Sequence, residues 1–196
     1  MNDEQRIAWV RGAIKGRIAL RDPEPALLME LCRKPGDHLD IGTLWGGSAI
    51  LAAWAKPAAS HVVTFDNMTV QAWSPGGDPF ASLAQVTPEI VLRNFHACAV
   101  ADRISFVLAR SFPWPLPGRR FGTALLDGDH EYPSVERDWA SAVACGCDFI
   151  AVHDYGQYGE PPRPGPREFI EEQVRPGRTW REWGRAGSLI VFQKFG

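Results

Sequence analysis

HLDIGTLWGGSAILAAWA, residues 38–55, changes character twice along its length. Residues 38–42 form a short apolar run of the kind that makes a strand, while Gly42, Gly46 and Gly47 mark a tight turn. From Gly47 the Ala- and Leu-rich run reads as a helix. A strand that turns through glycines into a helix is the opening unit of a sheet flanked by helices.

Outward from this unit the same alternation recurs. HVVTFD (61–66), RISFVLA (103–109), FGTALLD (121–127) and CDFIAVHD (147–154) read as four further strands. Helices are predicted over about 3–18, over PEPALLMELCRK (23–34), over TPEIVLRNFHACAV (87–100) with Thr87 as N-cap, and over SVERDWASAVACG (134–146), stopped by Gly146. REFIEEQV (167–174) is helical in pattern, and TWREWGRAGSLIVFQKF (179–195) reads as two strands about a glycine-containing turn, an antiparallel hairpin at one edge. The order αβαβαβαβαβαββ predicts an α/β, Rossmann-like, doubly wound sheet, mostly parallel with an antiparallel C-terminal hairpin strand. Such sheets bind ligands beyond the carboxyl ends of their strands. One domain over 1–196 is expected, with N-terminal helices in 1–35 and the core in 36–196.

Composition narrows the partners. The net charge of −2 gives no basic field for nucleic acid, and no Lys/Arg-rich run suits an anionic membrane surface. Small molecules become the leading partner class. The charged start MNDEQRIAWVRGAIKGR does not resemble a signal peptide, so a cytoplasmic location is the default expectation. Cys32, Cys98, Cys145 and Cys147 are scattered and read as small buried residues; His38, His61 and His96 read as packing or surface residues.

The glycine turn spells G-x-x-x-G-G, which is neither the dinucleotide fingerprint nor a phosphate loop. Two acids accompany it instead: Asp40 before the turn, and Asp66 at the end of the next strand. A carboxylate placed like Asp66 can accept both hydroxyls of a ribose, and Asp40 can help hold a cationic group. The pair favours a positively charged nucleoside.

The segment DIGTLWGGSAILAAWA resembles the first motif of class I S-adenosylmethionine-dependent methyltransferases. Its D-I-G-T-x-x-G-G-S is similar to that of the small-molecule O-methyltransferase family that includes macrolide sugar and rhamnosyl methyltransferases and cephalosporin hydroxylase-like proteins. The strand ends DGDHEY (127–132) and HDY (153–155) are also similar to recurrent features of that family. The resemblance spans about residues 35–155 and implies that Asp40, Gly42, Thr43, Gly46, Gly47 and Ser48 line the methionine end of the cofactor, with Asp66 at the ribose and Asn67 and Asp127 beside it. Ser111 resembles the adenine-side segment, with Ala109 and Arg110 replacing the usual Gly-Asp.

Carboxylates are costly to bury unless paired, hydrogen-bonded or bound to a cation, so a cluster of them at a strand's end suggests a working edge. Asp127, His153 and Asp154 would converge on the rim of the glycine turn, where hard oxygens and one imidazole suit a divalent Mg or Mn ion. His130, whose ordinary pKa lies near neutrality, is the first choice for the catalytic base, and Asp129 the second. The aromatics Trp73, Trp114, Tyr155 and Tyr158 fall in loops over this rim; they suit an apolar acceptor wall, a core contact or a homo-oligomer contact equally. Trp9, Trp54, Trp139, Trp180 and Trp183 read as packing. The loops 67–85 and 159–167 are expected to set acceptor choice. Together these features predict O-methylation of a small-molecule hydroxyl, on a sugar or polyketide-type metabolite, assisted by a metal. The alternatives are a cephalosporin hydroxylase-like use of the same fold and a non-catalytic nucleoside-binding protein.

Overall fold

Strands β1 (His38–Ile41), β2 (Val62–Asp66), β3 (Ile104–Leu108), β4 (Thr123–Leu126) and β5 (Phe149–Val152) run parallel in the computed structural model, which describes residues 1–68, 86–156 and 164–195. Two more strands, β6 (Trp180–Ala186) and β7 (Leu189–Lys194), complete a seven-stranded sheet ordered β3-β2-β1-β4-β5-β7-β6. The chain winds outward from β1 to β3 and then returns to β4, so the direction of winding reverses between β1 and β4. The expected C-terminal hairpin is present, with β7 antiparallel to both β5 and β6.

Strand side chains divide by the period of two. Leu39 and Ile41 of β1, Val63 and Phe65 of β2 and Leu126 of β4 face a core shared with helix α5 (Tyr132–Ala144) and helix α6 (Pro164–Phe169), which continues as a π-helical turn over Ile170–Val174. On the opposite face Val62, Leu125 and Ala151 meet α1 (Asp3–Ala13), α2 (Glu24–Cys32), α3 (Gly47–Ala55) and α4 (Pro88–Ala97). Helix α3 is buried from Gly47 through Ala53 because it lies between the sheet and the two N-terminal helices, which explains its nearly uniform apolar sequence. Thr87 caps α4, accepting from Ile90 N, as the T-P pair predicts. All four cysteines are free and buried.

Two elements depart from the sequence reading. Helix α1 ends at Ala13 rather than near residue 18; Gly16 has φ +114°, and a Cβ there would lie 2.3 Å from the Trp45 ring, so the chain leaves the helix to let that indole pack. The alternating pattern also placed a helix between β3 and β4, where none exists. Pro113, Pro115 and Pro117 occupy this connection and would remove successive helical N–H donors. In its place Trp114 packs on Phe65 and Phe121 with ring centroids 5.4 and 6.4 Å away, so this indole belongs to the core rather than to an acceptor wall.

Trp139 of α5 touches Phe169, Trp180 and Phe192, joining three elements on one face. Replacement of a buried Trp by Ala costs about 3–5 kcal/mol. Trp139→Ala is therefore expected to lower the urea midpoint markedly without changing which strands pair, as measured by equilibrium unfolding followed by circular dichroism.

Candidate active site

The end of β1 and the end of β4 are tied together by backbone. Asp127 N donates to Ile41 O at 2.8 Å, and Gly42, at φ +102°, lies so close that a Cβ would stand 2.1 Å from Asp127 O. Gly46, at φ +85°, is the N-cap of α3, where a Cβ would meet Phe95, while one at Gly47 would meet Ile18. The glycines thus serve first to let the turn pack against protein.

Asp66 holds the turn in place. Its Oδ2 accepts from Leu44 N at 2.9 Å and its Oδ1 from Met68 N at 2.7 Å, and both donors have positive φ. Each carboxylate oxygen retains a further lone pair. Asn67 follows, half-buried, at the same end of β2.

Asp40 lies under the turn, fully buried. Its Oδ2 accepts from Thr64 Oγ1 at 2.6 Å and Ser48 Oγ at 3.3 Å, Thr43 Oγ1 stands 2.6 Å from Thr64 Oγ1, and Asp40 Oδ1 has no partner. Burial raises its pKa to about 7, against the lowering effect of the Thr64 and Ser48 hydroxyls. An unsatisfied buried acceptor beneath a clamped turn, beside a second carboxylate with lone pairs to spare, fits a cationic nucleoside.

The sequence-predicted acids and imidazoles of the second group do come together. His153 Nδ1 is 2.9 Å from Asp127 Oδ1 and 3.5 Å from Asp154 Oδ1, and His130 Nε2 is 2.8 Å from Asp154 Oδ2 and 3.7 Å from Asp127 Oδ1. Asp154 adopts φ +55°, a left-handed turn that Asp tolerates, immediately beyond β5. One ligand atom from each of Asp127, His153 and Asp154 lies within 4.8 Å of the others.

Opposite charges compensate one another in this cluster. Burial opposes charge on both histidines and on both acids, but the mutual attraction outweighs it: the pKa of His153 is raised well above its ordinary value by Asp127 and Glu24, that of His130 is raised by Asp127 and Asp154, and those of Asp127 and Asp154 are lowered. Despite its short distance to Asp127, the buried Nδ1 of His153 makes no aligned hydrogen bond. Two carboxylates and an unsatisfied imidazole nitrogen form a donor set that fits Mg²⁺ or Mn²⁺.

Other expected residues have partners of their own. Asp129 is exposed and spends its oxygens on Glu131 N and Ser134 Oγ at the start of α5, outside the cluster. Ser111 Oγ donates to Asp138 Oδ1 at 2.5 Å. Tyr155 is buried, its hydroxyl directed to Glu171. Trp73 and Tyr158 lie outside the described residues, as do 69–85 and 159–163 of the two loops expected to choose the acceptor. Glu24 and Ser188 were not anticipated. Glu24 Oε2 is 3.0 Å from His153 Nε2, and Glu24 Oε1 accepts from Ser188 N and Oγ, both at 2.7 Å. The sole sequence cue is an acid between prolines at the head of a mostly apolar helix.

The fold is one found among O-methyltransferases whose structures are solved. The O-methyltransferase TomG from Streptomyces achromogenes, involved in tomaymycin synthesis and solved with S-adenosylmethionine, is 17% identical over 100% of this chain and 92% of its own, with a TM-score of 0.68. An O-methyltransferase from Bacillus cereus, solved with S-adenosylhomocysteine, is 15% identical over 98% of this chain and 90% of its own, at 0.64. CalS11, a TDP-rhamnose 3′-O-methyltransferase of calicheamicin biosynthesis, is 16% identical over 88% of this chain and 78% of its own, at 0.57. No protein-family model matches the sequence, and no curated protein does.

Folded Asp40 takes up its proton near 7, whereas the ordinary value is 3.8, so the native state holds an extra proton between these limits. Its contribution to stability therefore falls as pH rises through that window and levels off above it. Asp40→Asn is expected to raise the melting temperature of the ligand-free protein by roughly 5–10 °C at pH 8.5 and little at pH 4. The check is a calorimetric pH series on both proteins.

Proposed function

We propose that the chain transfers the methyl group of S-adenosylmethionine to a hydroxyl of a small molecule, a sugar or polyketide-type metabolite, with a divalent Mg or Mn ion held by Asp127, His153 and Asp154. The observation that carries this reading is the contact between Gly42 and the Asp127 backbone, which puts the nucleoside-type turn and the acid–imidazole cluster on one rim. The likeness of the fold to proteins named as O-methyltransferases supports it.

Asp66 would accept the ribose hydroxyls, while Thr43 and Ser48 would line the methionine end together with Asp40 and the turn glycines. Asn67, Ser111 and Asp127 complete the proposed cofactor contacts. Bound S-adenosylmethionine supplies a methyl on a sulfonium, and a bound divalent cation supplies Lewis acidity toward the acceptor hydroxyl. His130 is the proposed base: it reaches the rim between Asp127 and Asp154, whereas Asp129 is engaged in the turn before α5.

Positioning should supply most of the acceleration. Effective molarities reach about 10⁵–10⁸ M, against roughly 10²–10⁴-fold for a general base. Two substitutions separate these contributions. His130→Ala is expected to slow turnover by about 10²-fold or more, and Asp127→Ala to abolish it more completely. The assay incubates the protein with S-adenosylmethionine, Mg²⁺ and a panel of hydroxylated metabolites and follows S-adenosylhomocysteine release. Turnover should stop with chelator and return with Mg²⁺ or Mn²⁺; Asp127→Ala equal to wild type would remove the metal, and calorimetry without heat on adding S-adenosylmethionine would remove the cofactor.

A further inference from the structure

His153 has two ring nitrogens and only one can serve a cation, so something must decide which. Nε2 faces Glu24 Oε2 at 3.0 Å, at the head of α2, and stands 3.2 Å from Ser188 Oγ in the turn between β6 and β7. Glu24 is almost fully buried, with 1% exposure, and its carboxylate accepts from three donors besides facing the imidazole. Arg21 N donates to Oε2 at 2.8 Å, while Ser188 N and Oγ donate to Oε1. Ionised Glu24 has only acceptors, so a hydrogen bond to it requires hydrogen on Nε2. Nδ1 is then the nitrogen that faces Asp127 and Asp154.

We infer that Glu24, itself fixed by Ser188, is a positioning residue that keeps hydrogen on His153 Nε2, so that Nδ1 is the nitrogen that gives up its proton and serves as a ligand when a divalent cation binds. The inference rests on the cation site proposed above and adds to it a residue distant in sequence and a second helix. Glutamine cannot replace Glu24. Its oxygen can serve Ser188 or the Arg21–His153 side, but not both. If the amide NH₂ faces His153, Nε2 must accept, hydrogen moves to Nδ1, and the ligand nitrogen is blocked. If it faces Ser188, it meets the Ser188 N–H, and the β6–β7 turn must shift.

Mn²⁺ tests this directly, because electron spin-echo spectroscopy detects an imidazole nitrogen bound to the ion. Wild type should bind Mn²⁺ with a nitrogen coupling. Glu24→Gln should lose that coupling and bind Mn²⁺ about 10–100-fold more weakly, the usual effect of removing the carboxylate behind a ligand histidine. Its preference for Mn²⁺ over Mg²⁺ should narrow, since imidazole matters more to the former. S-adenosylmethionine affinity measured without metal should be unchanged, which a general loss of structure would not allow. If Glu24→Gln fails to fold, Ser188→Ala keeps the Ser188 N–H and should give an intermediate weakening. A variant that folds and retains nitrogen coupling and Mn²⁺ affinity overturns the inference while leaving the cation site standing. A wild type that binds no Mn²⁺ overturns both.

Discussion

The rim depends on one absence, the missing side chain at Gly42. Parallel strands β1 and β4 meet at the point where the winding reverses, and the hydrogen bond from Asp127 N to Ile41 O ties the residue after β4 to the last residue of β1. The turn into α3 has to leave over that bond. With Asp127 O 2.1 Å from where a Cβ would stand, any other residue would push the turn away from β4. Asp127 would then separate from Asp66 and the turn, and with it the acid cluster from the proposed nucleoside pocket.

Charge adds a second constraint. Asp40, Asp66, Asp127, Asp154 and Glu24 gather at or beneath one end of the sheet, and each is stabilised differently. Asp66 takes backbone N–H groups, Glu24 takes backbone, hydroxyl and imidazole donors, and Asp127 and Asp154 share two imidazoles. Among the carboxylates of the described residues, Asp40 alone keeps a fully buried oxygen with no hydrogen-bond partner. Leaving such an acceptor unsatisfied costs stability. That cost is understandable where a ligand can later satisfy it, since functional sites are where proteins tolerate such strain.

What could be read from the sequence was local. Strands announce themselves by short apolar runs, and a carboxylate or imidazole placed just after such a run must lie at the strand's end; Asp66, Asp127, His153 and Asp154 were found that way. Where the alternation of strands and helices conflicts with residue chemistry, the chemistry prevails. Three prolines between β3 and β4 argued against a helix, yet the parallel pattern suggested one; an indole, Trp114, fills that layer instead. The sequence predicts too long a helix α1, because the break at Gly16 depends on Trp45, which is distant in sequence and packs against it. Glu24 and Ser188 are 164 positions apart, and no spacing rule connects them.

Their meeting follows from the direction of β7. Because β7 is antiparallel to β5, with Ile190 beside Val152, the residues just before β7 overhang the carboxyl end of β5. Ser188 therefore stands next to His153 and accepts, through its carbonyl, from Tyr155 N. A parallel strand in that position would have brought its own N-terminal residues to the opposite end of the sheet, and the rim would be open behind His153. The C-terminal hairpin thus does more than cover a sheet edge. Its turn forms the back wall of the cluster, and Gly187, at φ +55° against Glu24, allows that wall to approach closely enough for Ser188 to bind the carboxylate.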